Sequence, residues 1–269
     1  MKRLLLILLI MLVRQAYGDA LPRPDHIVIV IEENKPYTAI IGNRDAAYIN
    51  ALAARGMLFT RSYGVTHPSQ PNYLALFAGT TFGISSDVCP LDLSGDNLAN
   101  TLQSRGLSFA IYAESLPEVG AEDCVYGAYR RKHNPLANWK GLAKLNKPFK
   151  AFPSDYAKLP TVSIVVPNQL NDMHDGSIAQ GDGWLRQNIE PYAQWAASHN
   201  SLLIVTWDED DSSELNRIAT ILAGAVVEPG RNAQRISHYS LLRTIEEMYG
   251  LPYLGESSSV HAIKGVWRR

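Results

Sequence analysis

The chain has 269 residues, of which 46% are hydrophobic and 19% are charged, so it has ample apolar material for one large core. Its 25 Lys and Arg residues almost balance its 26 Asp and Glu residues. This balance argues against a nucleic-acid-binding protein, which usually presents a basic face, and no polybasic cluster indicates binding to anionic membranes. No pattern in the sequence sets an oligomeric state.

Residues 1–18 are typical of a secretory signal peptide, with cleavage predicted after Gly18. A basic start precedes an unbroken apolar run from Leu4 to Val13. This run is shorter than the about 20 residues that span a bilayer, so no stable membrane anchor is expected. The alternative is an uncleaved anchor in the membrane interface. Cleavage would leave a secreted or periplasmic protein with a net charge near −4.

Buried strands alternate with helices along residues 19–269, which we interpret as a single domain. Apolar, β-branched runs predict strands at residues 26–31, 57–63, 107–113, 161–166, 201–207 and 218–227. Helical spacing of apolar residues predicts helices at residues 45–55, 71–78, 97–104, 184–198 and 237–249. This order predicts an α/β fold with a mostly parallel central sheet and helices on both faces. Residues 115–160 are predicted to form an irregular insertion over one sheet edge.

Polar side chains follow three of the predicted strands. They are Glu33 and Asn34, Asn168, and Asp208 and Glu209. In open α/β sheets the ligand site lies outside the carboxyl ends of the strands, so these side chains are expected to converge. Carboxylates at one strand end are commonly just solvated, but two such ends on neighbouring strands favour a metal site. Hard oxygen ligands suit Mg²⁺, Mn²⁺ or Ca²⁺ better than Zn²⁺.

Ser69 lies just before the helix predicted to begin at Pro71. One interpretation is a helix N-cap, which is a common use of serine. The other is a nucleophile, because a helix N-terminus offers N–H groups and partial positive charge to a phosphate. A nearby divalent cation would also lower the pKa of the hydroxyl. From this segment alone both roles stay open.

The segment after the fourth predicted strand contains Asp172, His174 and Asp175, whose spacing suits metal ligation or an acid–base pair. His238 begins the last predicted helix, where the helix dipole would lower the pKa of its ring. In the insertion, a polar cluster is either a solvated loop or a site that holds a phosphate oxygen. This cluster contains Arg130, Lys132, His133 and Asn134.

The two cysteines, Cys89 and Cys124, are expected to form a disulfide in an oxidising compartment. Such a loop is worth roughly 4 kcal/mol in the chain-entropy picture. Two free buried thiols are the alternative. Two cysteines without clustered histidines do not indicate a zinc site.

These segments together resemble the phosphoesterase family of bacterial acid phosphatases and phospholipases C, within the alkaline phosphatase superfamily. The resemblance covers about residues 25–252 and implies an alkaline phosphatase-like three-layer architecture. The segments that carry it are Glu33-Asn34, Ser69-Gln70-Pro71-Asn72-Tyr73, Arg131-Lys132-His133-Asn134-Pro135, Asn171-Asp172-Met173-His174-Asp175-Gly176, Trp207-Asp208-Glu209 and His238.

The resemblance implies a secreted, metal-dependent hydrolase of phosphate monoesters that works through a phosphoseryl intermediate on Ser69. One divalent ion is expected, because two-zinc members carry an Asp-His pair where this chain has Asp208-Glu209. The implied metal ligands are Glu33, Asn34, Asp208 and Glu209. The implied substrate-binding residues are Asn72, Asn134 and Lys132, and the residues on the leaving-group side are His133, His174 and His238. Asp172 and Asp175 would support acid–base chemistry or a weak second ion.

Three rival functions differ in what the site would act on. A phospholipase C-type phosphodiesterase would use aromatic residues of the insertion as an apolar rim for lipid. The expected substrate is therefore either a small-molecule phosphate ester or a lipid phosphate ester. A secreted binding protein with the same fold would have lost catalytic residues, whereas each matching position here keeps a competent one. A sulfatase would need an arginine near Ser69 that the segment lacks.

Overall fold

The computed structural model describes residues 21–268. The predicted signal peptide therefore lies outside the described residues. Over residues 21–268 no helix is both long enough and apolar enough to cross a membrane.

Nine strands form one mixed sheet, and two more form a short hairpin. In chain order the strands are β1 (His26–Glu32), β2 (Met57–Tyr63), β3 (Phe109–Ala113), β4 (Val125–Tyr126), β5 (Tyr129–Arg130), β6 (Asn146–Pro148), β7 (Val162–Val166), β8 (Ser201–Trp207), β9 (Arg217–Ala223), β10 (Gly230–Asn232) and β11 (Ile236–Ser237). The spatial order is β10-β2-β9-β8-β1-β7-β3-β6, with β11 beside β2 and the β4–β5 hairpin separate. Only β9 runs antiparallel to its neighbours in the sheet.

Within residues 21–268, seven α-helices cover the two faces of the sheet. They are α1 (Tyr37–Ile40), α2 (Ala47–Arg55), α3 (Ser69–Ala78), α4 (Leu98–Ser104), α5 (Ile178–Asn188), α6 (Glu190–Ala196) and α7 (His238–Tyr249). Alternate residues of β1 point to opposite faces, as a strand requires. Ile29 packs with α3, α4 and α7, whereas Val30 packs with α2, α5 and α6. The predicted α/β fold with helices on both faces is confirmed.

Some element boundaries differ from the sequence-based expectation. The helix predicted at residues 184–198 is two helices, because Pro191 lies in the first turn of α6 and cannot supply a backbone donor to a continuous helix. The segment before residue 184 is also helical, although it contains two glycines. The strand predicted at 218–227 ends at Ala223, where Gly224 turns the backbone to φ 139°.

The insertion at residues 115–160 contributes an edge strand as well as irregular structure. It contains the β4–β5 hairpin, several 3-10 turns and β6, which pairs with β3 at the edge of the sheet. A disulfide between Cys89 and Cys124 ties the insertion to the loop before α4. The two segments are therefore linked covalently beside the sheet's carboxyl edge.

Candidate active site

The carboxyl ends of three adjacent strands bring the polar residues together. β1 lies between β7 and β8, and it pairs with both in parallel. Backbone hydrogen bonds extend this pairing past the strands, from Glu33 N to Asp172 O (2.8 Å) and from Asp208 N to Glu32 O (3.0 Å). Residues far apart in the chain thus meet at one edge, as expected for open α/β sheets.

Ser69 is the first residue of α3, and its side chain is buried. Its hydroxyl donates to Glu33 Oε2 (2.9 Å) and lies 3.1 Å from Glu209 Oε1. The N-cap residue of α3 is Pro68, whose side chain makes no capping hydrogen bond. The Ser69 hydroxyl therefore points to two carboxylates and does not cap the helix.

Glu33 is the centre of the buried cluster. Its second carboxylate oxygen accepts from the Tyr73 hydroxyl and lies 3.2 Å from His133 Nε2. The rings of Tyr73 and His133 stack with their centroids 5.3 Å apart. Glu33, His133 and His174 also present ligand atoms that all lie within 4.8 Å of one another, a spacing that a metal ion could bridge.

The polar atoms around Asn34 test whether a cation fits this site. The Asn34 side-chain amide lies 3.0 Å from Glu209 Oε1 and 3.3 Å from Glu33 Oε2, and its NH₂ group donates to both carboxylates. Asp208 Oδ1 accepts from Asn34 N, whereas Asp208 Oδ2 is buried and has no hydrogen-bond partner among residues 21–268. Glu33 and Glu209 also present carboxylate oxygens to Ser69. Clustered carboxylate oxygens, one of them unpaired, are ligands that a divalent cation prefers. The residues present therefore fit a metal ion.

Burial and mutual repulsion disfavour ionised carboxylates in this cluster. Burial, followed by the charge of Glu209, raises the pKa of Asp208 to about 8. Burial also raises the pKa of Glu209 to about 7. The pKa values of Glu33 and Asp172 are raised well above their usual range, mainly by burial and also by the charge of Asp208. Several acids that cannot all ionise in one dry site need a compensating positive charge.

Two of the histidines are held neutral by burial. Burial lowers the pKa of His133 well below 6.5 and lowers the pKa of His238 to about 4. His238 Nε2 lies 2.6 Å from the Asp208 carbonyl oxygen, so a neutral ring donates its N–H there. Neutral imidazole is the form that binds metals and orients neighbours. For His238 this is the direction expected at a helix start, although its cause is burial.

His174 lies at the rim of the cluster, where it contacts charged groups. Its Nδ1 lies 2.8 Å from Asp175 Oδ1, and its Nε2 lies 3.4 Å from Lys132 Nζ. Its backbone N–H donates to Asp172 Oδ1 (2.8 Å). His174 is also partly exposed, so it lies where a leaving group could depart.

The structure gives the two candidate phosphate-binding asparagines other partners. The Asn72 amide accepts from Val65 N (2.8 Å) and Thr66 N (3.1 Å) and donates to Thr66 O (2.8 Å). It therefore holds the loop that precedes Ser69. Asn134 is buried and donates to Asn146 Oδ1 (2.8 Å), within the insertion.

The sequence matches the Phosphoesterase family over residues 42–252. The chain belongs to the Phosphoesterase family. A phosphatidylinositol-3-phosphatase of Mycobacterium tuberculosis is 50% identical over 93% of this chain and 85% of that protein. An acid phosphatase of Aspergillus fumigatus is 35% identical over 76% of this chain, which spans about half (51%) of the fungal protein. These relatives identify the chain as a phosphoric ester hydrolase.

Solved structures, among them one from the alkaline phosphatase superfamily, are similar in fold to this phosphoesterase. A Vibrio parahaemolyticus protein of the alkaline phosphatase superfamily matches this structure with a TM-score of 0.61 and 12% sequence identity. The match covers 87% of this chain and 68% of that protein. The lipoteichoic acid synthase LtaP of Listeria monocytogenes has a TM-score of 0.61 and 10% identity, over 88% of this chain and 74% of its own. At such low identity the likeness describes the fold alone.

Three residues of the phosphoesterase lie beside the site, although sequence-based prediction did not assign them to it. His67 lies against Glu209 and Asp210, two residues before Ser69, in a segment that reads only as a loop. Tyr73 is part of the Ser69 segment but gives no sequence signal for a bond to Glu33. Asp87 lies in a separate loop without any motif.

The raised acid pKa values predict how stability depends on pH and metal. Folded Asp208 and Glu209 hold protons at pH values where the unfolded chain has lost them, so metal-free protein loses stability as pH rises from about 4 toward 8. A metal ion displaces these protons and binds more tightly at high pH. The rise in Tm on adding a divalent ion to chelated protein is therefore expected to be several degrees larger near pH 8 than near pH 5. Equal shifts at both pH values would contradict this prediction.

Proposed function

We propose that this chain is a metal-dependent phosphomonoesterase in which Ser69 attacks the phosphorus atom. The observation that carries the proposal is the buried Ser69 hydroxyl, 2.9 Å from Glu33 Oε2 and 3.1 Å from Glu209 Oε1, beside the side-chain amide of Asn34. A serine that serves only a structural role at a helix start would cap the helix, which Ser69 does not.

The residues that would hold one divalent ion are Glu33, Asn34, Asp208 and Glu209. A bound ion would lower the pKa of the serine hydroxyl and neutralise charge on the phosphoryl oxygens. Mg²⁺, Mn²⁺ and Ca²⁺ suit these oxygen ligands. His133 and His174, which lie with Glu33 in a cluster of candidate ligand atoms, would complete the site or support a second ion.

The protein's own groups then position the nucleophile and transfer protons. The Ser69 proton leaves along one of its hydrogen bonds to Glu33 or Glu209 as Oγ attacks phosphorus. Tyr73 and His133 fix the Glu33 carboxylate through its other oxygen. The leaving alcohol departs toward His174 at the exposed rim, and water then cleaves the phosphoseryl ester. Most of the acceleration would come from positioning and charge stabilisation.

Phosphate monoesters are the proposed substrates, because the relatives are named as a phosphatidylinositol-3-phosphatase and an acid phosphatase. A lipid phosphate is the second candidate, and one observation favours it. Exposed apolar side chains flank the site: Val88 follows Asp87, Leu170 lies two residues before Asp172, and Tyr126 lies in the hairpin whose turn at Ala128 bonds to Gln169. An apolar rim of this kind would receive acyl chains or a membrane surface. The predicted signal peptide supports action outside the cytoplasm.

The proposal is tested by hydrolysis of p-nitrophenyl phosphate and bis-p-nitrophenyl phosphate with native, chelated and metal-restored protein. Turnover of the monoester is expected to fall by about 100-fold or more on chelation and to recover with a divalent ion. Hydrolysis rates are then compared between phosphoinositide dispersed in solution and phosphoinositide in vesicles. Undiminished turnover after chelation, with metal content verified, would contradict the metal-dependent mechanism.

A further inference from the structure

The carboxylate of Asp87 occupies a position beside the nucleophile that is suited to an anion. Its Oδ1 accepts from the backbone N–H of Gln70, at 3.0 Å, in the first turn of α3. Its Oδ2 lies 2.7 Å from Lys132 Nζ. A backbone N–H at a helix start and a lysine ammonium are donors that commonly bind phosphate oxygens. In this protein the carboxylate of Asp87 binds both of these donors.

Lys132 borders the catalytic cluster, since its ammonium lies 3.4 Å from His174 Nε2. Its side chain is only 17% exposed, so its charge is weakly screened by solvent. The groups around Ser69 are mainly carboxylates, which makes the charge of Lys132 important for an anionic ligand. The negative charge of Asp87 offsets the positive charge of Lys132 and so reduces its attraction for an anionic ligand.

The position of Asp87 is fixed covalently and by buried hydrogen bonds. Cys89, two residues later, is joined to Cys124 in the insertion that also carries Lys132. The buried guanidinium of Arg131 donates to Leu91 O (3.2 Å) and to Glu122 O (2.6 Å), on either side of this link. The Asp87–Lys132 pair therefore lies partly exposed at the rim of the site, between two segments that the disulfide and the Arg131 hydrogen bonds hold together.

We propose that Asp87 is a specificity-determining residue, which limits the negative charge that the site accepts from a phosphoryl group by neutralising Lys132 and engaging the Gln70 N–H. This inference rests on the proposed function, because it takes the Ser69 cluster as the phosphoryl site. A phosphate monoester carries between one and two negative charges near neutral pH, whereas a diester carries one. Asp87 thus weakens the binding of inorganic phosphate, which is the product. It also lowers the ratio of kcat/KM for monoesters to kcat/KM for diesters.

The test is Asp87→Asn, which keeps the side chain's size and removes its charge. The inhibition constant of inorganic phosphate is expected to fall about tenfold, and the monoester-to-diester ratio of kcat/KM to rise by about the same factor. Calorimetric titration with inorganic phosphate measures binding without turnover. Asp92→Asn is the matched control, because Asp92 lies in the same loop and pairs with the exposed Lys140. This control is expected to leave both quantities unchanged.

A second variant shows whether Asp87 acts through Lys132. In a Lys132→Met background, Asp87→Asn is expected to change phosphate affinity by less than about twofold. An Asp87→Asn protein that turns over both esters with unchanged or weaker phosphate affinity would overturn the inference. An equal fall in kcat/KM for both esters, with a lower Tm, would show a purely structural role and would also overturn it. If the metal-supplied wild type neither binds phosphate nor turns over either ester, the proposed function itself fails.

Discussion

Ser69→Ala is expected to lower kcat for p-nitrophenyl phosphate by about 10³-fold or more. The variant removes the hydroxyl that lies between Glu33 and Glu209 and can attack phosphorus, while both carboxylates stay in place. Metal affinity, measured by calorimetric titration, is therefore expected to stay within about threefold of the wild-type value. A phosphorylated enzyme trapped by acid quench is expected in the wild type and not in the variant.

The control is Ser85→Ala, a change at an exposed serine in the loop that carries Asp87. This variant is expected to retain wild-type kcat and Tm. Turnover by Ser69→Ala near the wild-type rate would remove Ser69 from the nucleophile role. A large loss of metal affinity in that variant would instead place Ser69 among the ligands of the ion.

The convergence of the site was predictable because it depends on strand direction. A continuous apolar run such as β8 identifies a buried parallel strand, and its observed bounds are those predicted. Parallel strands end at one edge, so the acids after β1 and β8 had to meet there. The motif residues therefore indicated the place and the ligand chemistry before any contact was known.

The partners of individual side chains were not predictable, because they depend on loop conformation. Asn72 has the residue type of a phosphate ligand, yet its amide is used by the backbone of the preceding loop. Asp87 reaches Gln70 and Lys132 only because a long loop folds back and is tied by Cys89. Such contacts lie far apart in sequence and have no periodic signal.

The start of α5 shows how tertiary contacts override local propensity. Gly181 and Gly183 disfavour a helix, so the sequence pattern predicts its start only at Trp184. The structure requires the first glycine, since a Cβ at Gly181 would lie 2.5 Å from the Met173 side chain. Between them, Asp182 accepts from Tyr48 N (3.0 Å) and Ile49 N (2.8 Å), which caps α2 from a distant part of the chain.

Adjacent carboxylates at the end of β1 allow a matched comparison of Glu33→Gln with Glu32→Gln. Successive residues of a strand point to opposite faces, so only Glu33 reaches Ser69 and His133. Both residues are fully buried. Burial also raises the pKa of Glu32 well above its usual range, and its carboxylate has no hydrogen-bond partner within residues 21–268. A neutral amide therefore replaces a carboxyl whose ionisation burial disfavours at position 32, but removes a candidate metal ligand at position 33.

Glu33→Gln is expected to lower kcat/KM by about 100-fold or more and to weaken the affinity for the divalent ion by at least about tenfold. Glu32→Gln is expected to retain both, because it keeps the shape of the side chain and Glu32 makes no side-chain hydrogen bond to the cluster within residues 21–268. Activity measured against free metal concentration separates lost affinity from lost turnover at saturation. Equal losses in the two variants would show that any change at this strand end disrupts packing, and the assignment of Glu33 as the central ligand would then be wrong.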